Sequence, residues 1–396
     1  MEDLLYLTHR IPYPPNKGDK IRSFHLLRHL SQQYRVHLGT FVDDEADWQH
    51  VDATKAFCGE SYFTRLNPSI ARLHSLSGLL TDKPLTLPYY SNAGLQHWVD
   101  DLLAKHPVRR ILVFSSAMAQ YVRQAEGKRR VIDFVDIDSD KWNQYANSKH
   151  WPLSWLYRRE GKLMLRYERE IAQEFDASLF VSREEAGLFR KLAPESAPKT
   201  DFFSNGVDAD HFSPEREYLN PYQEGEQALV FTGAMDYWPN VDAVRWFAED
   251  IFPAVHAAQP QARFYIVGSR PSAAVSELAR LPGITVTGTV ADIRPYLAHA
   301  LLAVAPLRIA RGLQNKVLEA MAMAKTVVAS HQAAEGIQAK QGIELQIATD
   351  PEEFGRKILM LLGGKACQDI GKAARARILE DYDWDSSLAK LDTLLA

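Results

Sequence analysis

The 396-residue sequence has few cysteines and no long apolar run. Its two cysteines, Cys58 and Cys367, stand far apart in no CxxC or metal-like spacing, which excludes a disulfide framework and indicates a reducing compartment. The longest apolar stretches, such as 300–307, are well short of the roughly 20 residues that cross a bilayer. His9 and Arg10 interrupt the apolar N-terminal run, which is unlike a signal peptide. We therefore expect a cytoplasmic protein that does not cross a membrane.

The sequence also lacks a strong charge of either sign and two common nucleotide-binding motifs. The net charge is −4, so the composition does not indicate a nucleic-acid binder. Neither GxGxxG nor GxxxxGK[ST] occurs, which argues against an ordinary dinucleotide enzyme and a P-loop NTPase. With 396 residues, the natural expectation is two soluble domains.

Short apolar, β-branched segments alternate with helical patterns along both halves of the chain. These predicted strands are 4–8, 35–42, 60–66, 109–116, 129–136, 177–182, 228–233, 263–269, 284–289, 301–307 and 326–330. The alternation predicts α/β architecture with two doubly wound parallel sheets. Polar Pro/Gly/Asn-rich sequence separates a first domain, 1–207, from a second, 208–381. A last helix at 382–396 is expected to pack back on the first domain.

Four glycines stand at or just beyond predicted strand ends of the second domain. Ligands of open parallel sheets bind beyond the carboxyl ends of the strands, where a glycine lets the backbone approach a ligand. The glycines are Gly233, Gly268, Gly288 and Gly312. The alternative interpretation is that each merely turns a tight corner.

The loop before the predicted helix at 315 is rich in cations. Arg308, Arg311 and Lys316 surround Gly312 at a helix start, where free amides already favour an anion such as a diphosphate. Glu319 follows one turn later on the face of Lys316, where it can accept hydrogen bonds from vicinal hydroxyls. This combination predicts a sugar-nucleotide site. The alternative is an exposed i,i+3 ion pair.

Several motifs of the second half occur in one order over roughly 177–385. They are NGVDADHF, FTGAMDYWPNVDAVRWF, FYIVGSRP, ITVTGTVADIRPYL, VAPLR and NKVLEAMAMAKTVVAS. With them, the chain resembles GT-B glycosyltransferases of retaining family 4, which implies two Rossmann-like domains facing a cleft.

The resemblance implies that Glu319 binds the ribose and that Lys316 and an arginine bind the diphosphate. It also implies base contacts from the 287–292 backbone, at Thr289 and Val290. The implied donor-binding set is Gly18, Arg22, Gly233, Gly268, Thr289, Val290, Arg308, Gly312, Leu313, Lys316 and Glu319. No metal or other cofactor is expected, because cations and a helix dipole hold the diphosphate in these enzymes.

One position departs from the family pattern. Family members carry a glutamate eight residues before the one equivalent to Glu319, and this sequence has Arg311 there. Because that position contacts the transferred sugar in the family, Arg311 is a candidate catalytic residue and the sugar stays open. A uronic acid donor and a non-catalytic protein are both compatible with the change.

The first domain contributes a basic loop, 9–25, whose Gly18 and Arg22 are candidate site residues. The alternative is a solvated basic turn. Together with 84–91 and 133–142, this loop resembles sugar transferases associated with bacterial exopolysaccharide (PEP-CTERM/EpsH-type) gene clusters. That resemblance covers nearly the whole chain.

Carboxylates cluster where the predicted strand 129–136 ends. Asp136 and Asp138 follow Asp133 there, and they can cap the next helix, bind a metal or act as a general base. We expect Asp136 or Asp138 to meet the acceptor hydroxyl or the donor sugar.

The segment 151–170 mixes tryptophans with arginines and one lysine. Such a helix can lie on an anionic membrane surface, although its glutamates permit ordinary i,i+4 pairs instead. The expected location is therefore cytoplasmic with peripheral contact to the inner face of the plasma membrane.

The sequence as a whole predicts transfer of a sugar from a UDP- or GDP-sugar to a saccharide or polyprenyl-linked saccharide acceptor. The resemblance implies exopolysaccharide assembly and a retaining reaction, and the near-neutral composition predicts no nucleic-acid partner. Two other functions stay open: a non-catalytic sugar-nucleotide-binding scaffold and a nucleotide-sugar epimerase.

Overall fold

A computed structural model describes residues 1–15, 18–147, 149–310 and 312–396, with the side chains of 385 and 386 left out. The chain forms two compact units. The first contains Met1–Ser204 and Leu388–Ala396, and the second contains Asn205–Ser387. Among the described residues, no helix combines the length and apolarity needed to span a bilayer.

The first unit is built on a seven-stranded parallel sheet with the order β3-β2-β1-β4-β5-β6-β7. Its strands are β1 (Glu2–Thr8), β2 (Tyr34–Val42), β3 (Ser61–Arg65), β4 (Arg110–Phe114), β5 (Arg129–Val135), β6 (Ala177–Phe180) and β7 (Thr200–Phe202). β1 is buried along almost its whole length, as expected of a parallel strand covered on both faces.

Helices connect these strands. They are α1 (Gly18–Gln33), α2 (Val51–Lys55), α3 (Pro68–Ser75), α4 (Thr86–Tyr89), α5 (Ala93–Lys105), α6 (Asp138–Asn147), α7 (Leu153–Glu174) and α8 (Arg183–Leu192). Short 3₁₀ helices lie at Glu45–His50, Leu76–Leu80, Ser116–Tyr121 and Pro194–Lys199. Side-chain caps fix several starts: the Ser182 hydroxyl, for example, accepts from the Glu185 amide at the start of α8.

The second unit has a six-stranded parallel sheet with the order β10-β9-β8-β11-β12-β13. Its strands are β8 (Gln227–Thr232), β9 (Ala262–Val267), β10 (Ile284–Gly288), β11 (Leu302–Ala305), β12 (Thr326–Ser330) and β13 (Gln346–Ala348). The remaining helices are α9 (Trp238–Trp246), α10 (Phe252–Ala258), α11 (Ala273–Ser276), α12 (Arg294–His299), α13 (Asn315–Ala322), α14 (His331–Ala334), α15 (Pro351–Leu362), α16 (Lys365–Asp381) and α17 (Trp384–Leu395). A π-helical turn, Phe247–Ile251, joins α9 to α10, and Glu277–Arg280 is a 3₁₀ helix.

The predicted α/β architecture is confirmed, and all eleven predicted strands are present. The sequence did not predict β7 and β13, which have three residues each and form the outer edge of their sheets. Three residues are too few to show a hydrophobic period.

The strand order reverses once in each sheet, between β1 and β4 in the first unit and between β8 and β11 in the second. At a reversal the loops on either side diverge and leave a crevice at the carboxyl ends of the strands. His9 and Ser115 follow the two strands at the first reversal, and Gly233 and Pro306 follow those at the second.

An ion pair buried beneath α1 ties three parts of the first unit together. The Arg22 guanidinium donates from Nε to Asp133 Oδ2 at 2.7 Å, and both side chains have no exposed surface. It also donates to the Phe203 carbonyl oxygen and lies 3.6 Å from the centre of the Phe203 ring. Burial raises the pKa of Asp133, and the charge of Arg22 opposes that shift.

We predict that Arg22→Met lowers the free energy of unfolding of the protein by about 3–5 kcal/mol, because it leaves a buried carboxylate without its partner. Lys55→Ala is the control. It breaks an exposed pair with Asp52 and should cost less than about 1 kcal/mol. Denaturant unfolding measures both, and equal losses would contradict the structural role of Arg22.

Candidate functional site

Two glycines meet back to back at the order reversal of the second sheet. Gly233 follows β8 and Gly268 follows β9, with φ of 157° and 155°. A Cβ on Gly268 would stand 1.7 Å from the Gly233 carbonyl oxygen, so no side chain fits without moving the backbone. The close approach of these two strand ends therefore requires glycine at position 268.

Lys316, from the first turn of α13, reaches the same point. Its Nζ donates to Asn240 Oδ1 and lies 4.4 Å from the centre of the Phe231 ring. A Cβ on Gly233 would lie 3.3 Å from this Nζ, so the ammonium is directly beside the glycine. Burial lowers the pKa of Lys316 to about 7, because desolvation disfavours the charged form.

Glu319 lies one turn further along α13 and is partly buried. Burial raises the pKa of its carboxyl to about 7, and the charge of Lys316 only partly opposes this. Within the described residues, no group donates a hydrogen bond to the Glu319 side chain. Lys316 and Glu319 are thus two desolvated groups whose charges the protein itself leaves poorly compensated.

The start of α13 is open as well. Its N-cap residue, Gln314, makes no side-chain bond to the first amides, so no such cap compensates the partial positive charge of this helix end. Gly312 has φ of 60° and Leu313 is buried. The prediction for Arg311 lies outside the described residues.

Two other groups of predicted site residues have their own surroundings. Arg308 forms a bidentate ion pair with Asp242 and lies over the Trp246 ring. Thr289 is exposed and Val290 half-buried after β10, which is two strands from β8. Among the described residues, no hydrogen bond or ion pair joins any of these three to Lys316.

The carboxylates after β5 in the first unit share a cation that the sequence analysis did not single out. Lys141 Nζ lies 2.9 Å from Asp136 Oδ2 and 3.5 Å from Asp138 Oδ1, and the two carboxylates raise its pKa against the effect of burial. The Ser116 hydroxyl donates to Asp138 Oδ2 at 2.7 Å. Asp136 and Asp138 are therefore held in place by Lys141 and Ser116, and each retains exposed surface.

The backbone around this cluster is strained. Ser115 has φ of 79° at the end of β4, and Val135 has φ of 70° at the end of β5. A β-branched residue such as valine is rarely found in the left-handed region. Such strain costs on the order of 1–3 kcal/mol per residue and gathers at functional sites, and here it positions Ser116 and Asp136.

A buried glutamate supports the same cluster from α7. Glu168 accepts hydrogen bonds from the Ser139 amide and hydroxyl, at 3.1 and 2.6 Å. Burial, together with the charge of Asp138, raises the pKa of Glu168 to about 8. This contact fixes the first turn of α6, which carries Asp138.

The predicted basic loop turns out to be largely internally paired. Arg10 binds Asp43 and Asp19, and His9 stacks on Phe114 at the end of β4. Gly18 begins α1 at an exposed position, and Lys17 lies outside the described residues.

The prediction that Arg22 contacts the donor is corrected here. Its guanidinium is fully buried against Asp133 and Phe203, so it has no surface to offer a ligand. The sequence does not distinguish Arg22 from the other cations of this loop. Its long-range contact with Asp133 does.

One group of potential metal ligands lies at the other end of the first sheet. Asp3, His37 and His106 have donor atoms within 4.8 Å of one another. However, His37 Nδ1 accepts from the Glu60 amide and its Nε2 faces Asp3 at 2.9 Å. This fixes the proton on Nε2, so the imidazole has no lone pair for a metal, and the group is an internal hydrogen-bond network.

Comparison with known proteins supports the predicted class. Residues 226–363 match the family model described as "Glycosyl transferases group 1". Sucrose-phosphate synthase from Thermosynechococcus elongatus is 16% identical with a TM-score of 0.71, covering 100% of this chain and 98% of that one. HepE of Anabaena in complex with UDP is 16% identical with a TM-score of 0.69, covering 100% and 99%. WaaG, a glycosyltransferase involved in lipopolysaccharide biosynthesis, is 14% identical with a TM-score of 0.67, covering 99% of both chains.

No curated protein sequence matches the chain. The structural likeness confirms the predicted GT-B fold with its two parallel-sheet domains. The family match covers the second unit from β8 to the end of α15. Fold and domain together support a glycosyltransferase.

Proposed function

We propose that the second unit binds a nucleotide-diphosphate-sugar, with the diphosphate at Lys316 and the first amides of α13 and the ribose at Glu319. One observation carries this proposal: Lys316 lies directly beside Gly233 at a reversal of the strand order, and Glu319 follows one turn later on the same helix, both desolvated and poorly compensated. A diphosphate supplies the charge that Lys316 lacks, and ribose hydroxyls supply the donors that Glu319 lacks.

We further propose that the first unit receives the acceptor at Asp136 and Asp138. The acceptor oxygen forms a bond to the anomeric carbon while the bond from that carbon to the diphosphate breaks. In a retaining reaction, the leaving diphosphate takes the acceptor proton on the same face of the sugar. A carboxylate held by Lys141 and Ser116 would orient the acceptor hydroxyl through a hydrogen bond.

The finer identity of the substrates is also a proposal. Structures of the similar HepE contain UDP or UDP-glucose, which favours a UDP- or GDP-sugar donor here. The resemblance of 9–25, 84–91 and 133–142 favours a saccharide or lipid-linked acceptor in exopolysaccharide assembly. Arg311 leaves the transferred sugar open.

The lowered pKa of Lys316 predicts how UDP affinity depends on pH. The diphosphate binds the protonated amine, so the contribution of Lys316 to affinity is complete below about pH 7 and falls by up to about tenfold per pH unit above it. The terminal phosphate of UDP ionises near about pH 6, so its charge is constant over this range. Protonation of Glu319, whose pKa is also about 7, has the opposite dependence: it weakens binding of the ribose on the acid side of the pH profile only. Calorimetric titration from about pH 7 to 9 measures the alkaline limb.

Lys316→Arg is the matched control for this limb, since arginine stays protonated throughout. Its UDP affinity should be flat over the same range. A limb of equal slope in Lys316→Arg would mean that another group titrates and that Lys316 does not bind the phosphates.

Glu319→Ala should weaken UDP binding by about 1–3 kcal/mol, the scale of lost hydrogen bonds to a charged group. The same variant should bind 2′,3′-dideoxy-UDP as the wild type does, because that ligand lacks both hydroxyls. Glu277→Ala, which removes an exposed carboxylate of the same unit, should change neither affinity. An equal loss for both ligands would contradict the ribose contact.

Asp138→Asn should slow sugar transfer by about 10²- to 10⁴-fold, the range for a side chain that handles a reacting hydroxyl, while UDP affinity stays unchanged. UDP release from a panel of donors, with and without acceptor extract, measures this. UDP binding without release by the wild type would favour the scaffold, and conversion of the donor without acceptor would favour the epimerase.

A further inference from the structure

The first unit exposes an apolar stripe on α3 and the 3₁₀ helix after it. The stripe consists of five aliphatic side chains with exposed fractions between 40% and 91%: Ile70, Leu73, Leu76, Leu79 and Leu80. Single exposed apolar residues are ordinary, but five within eleven residues form a patch of the kind that marks an interaction site.

Three more exposed apolar side chains adjoin this stripe at the start of α7. They are Trp151, Leu153 and Trp155. Arg159, one helical turn after Trp155, donates to the carbonyl oxygens of Gly78 and Thr81 at 2.6 Å, so the start of α7 lies against the stripe. We call the eight side chains together the docking face.

The sequence around the docking face is strongly basic although the chain is acidic. Residues 67–83 and 149–166 contain seven lysines and arginines but only two carboxylates, a net charge of +5, whereas the whole chain carries −4. Within the described residues, neither Lys83 nor Arg166 has a carboxylate partner. An apolar face with a cationic rim complements a membrane surface that contains acidic lipids.

An open cavity of about 1000 Å³ lies beside the stripe, and Leu73, Lys83, Arg166 and Tyr167 are among its lining residues. The hydroxyl of Tyr167 is buried and has no hydrogen-bond partner, although the side chain is only 4% exposed. A buried hydroxyl without a partner is costly, so this atom points to a missing acceptor.

The carboxylates that line this cavity do not supply an acceptor for the Tyr167 hydroxyl. Arg123 donates to Glu170, and the backbone carbonyl oxygen of Asp82 accepts from Arg166, but neither carboxylate accepts from the Tyr167 hydroxyl. Lys83, Arg166 and the Tyr167 hydroxyl are left as donors beside the apolar side chains of Leu73 and Leu163. A phosphate attached to an apolar chain matches this combination.

We propose that the docking face binds a bilayer containing acidic phospholipid, and that the cavity receives one lipid phosphate at Lys83, Arg166 and Tyr167. The apolar stripe and the tryptophans then occupy the boundary between head groups and acyl chains. This names the partner of the peripheral membrane contact expected from the sequence. The proposal does not depend on sugar transfer, because lipid binding is measured without any nucleotide sugar.

Sedimentation of the full-length protein with vesicles tests this proposal. Vesicles of phosphatidylcholine with about one third phosphatidylglycerol should bind the protein, and pure phosphatidylcholine should bind it at least about tenfold more weakly. Binding should weaken when ionic strength rises from about 0.1 to 1 M. Equal binding to both vesicles, or to neither, would overturn the proposal.

Two exposed leucines offer a matched pair of variants. Leu80→Glu changes a side chain that is 91% exposed on the docking face, and Leu219→Glu changes one that is 90% exposed in the second unit. We expect Leu80→Glu to reduce vesicle affinity about tenfold or more and Leu219→Glu to leave it unchanged. Equal effects of the two variants would overturn the assignment, as would a dimer that Leu80→Glu dissociates without any vesicle binding.

Tyr167→Phe tests the cavity itself. The hydroxyl has no partner within the protein, so its removal should leave the thermal midpoint unchanged or higher. We expect a several-fold loss of binding to phosphatidylglycerol vesicles, since the phosphate loses one donor. Unchanged vesicle affinity in this variant would show that no lipid phosphate enters the cavity.

Discussion

The burial of Lys316 and Glu319 away from water is the constraint on which the candidate donor site depends. A buried charge is stable only when a partner compensates it. Elsewhere this chain obeys the rule within itself, because Arg22 and Asp133 are buried together in a close ion pair. At α13, no such close ion pair joins Lys316 and Glu319 among the described residues, and burial brings the pKa of each to about 7. In the proposed complex the ligand supplies what is missing, a diphosphate for Lys316 and ribose hydroxyls for Glu319.

The order of the strands decides where such a ligand can bind. The strand order reverses once in each sheet, and Gly233 in the second unit and Ser115 in the first follow strands at these reversals. In the second unit the space there depends on Gly233 and Gly268, whose backbones nearly touch. In the first unit, the strained backbones of Ser115 and Val135 turn Ser116 and Asp136 to the same edge. The strand order thus determines where each candidate site lies, and the local backbone geometry determines which side chains are placed there.

Sequence reasoning predicted most of the fold because a parallel strand buried on both faces leaves a continuous apolar run. It also placed Gly233, Gly268 and Lys316 in one site, because strand ends of a parallel sheet share an edge. It did not separate Arg22 from the other cations of its loop, since the pairing residue, Asp133, is more than a hundred positions away. It did not single out Lys141 or Asn240, whose importance depends on side-chain direction and not on spacing.

The uneven distribution of charge along the chain affects how the proposed docking face would meet a membrane. A chain with a net charge of −4 is repelled by an anionic membrane at long range, whereas the segments that frame the docking face carry +5. The attraction therefore acts at the docking face, and it orients the molecule before any side chain inserts. Insertion of the tryptophans and the apolar stripe then adds affinity that salt does not screen. The basic segments thus orient the protein on the membrane, and burial of the apolar side chains keeps it bound.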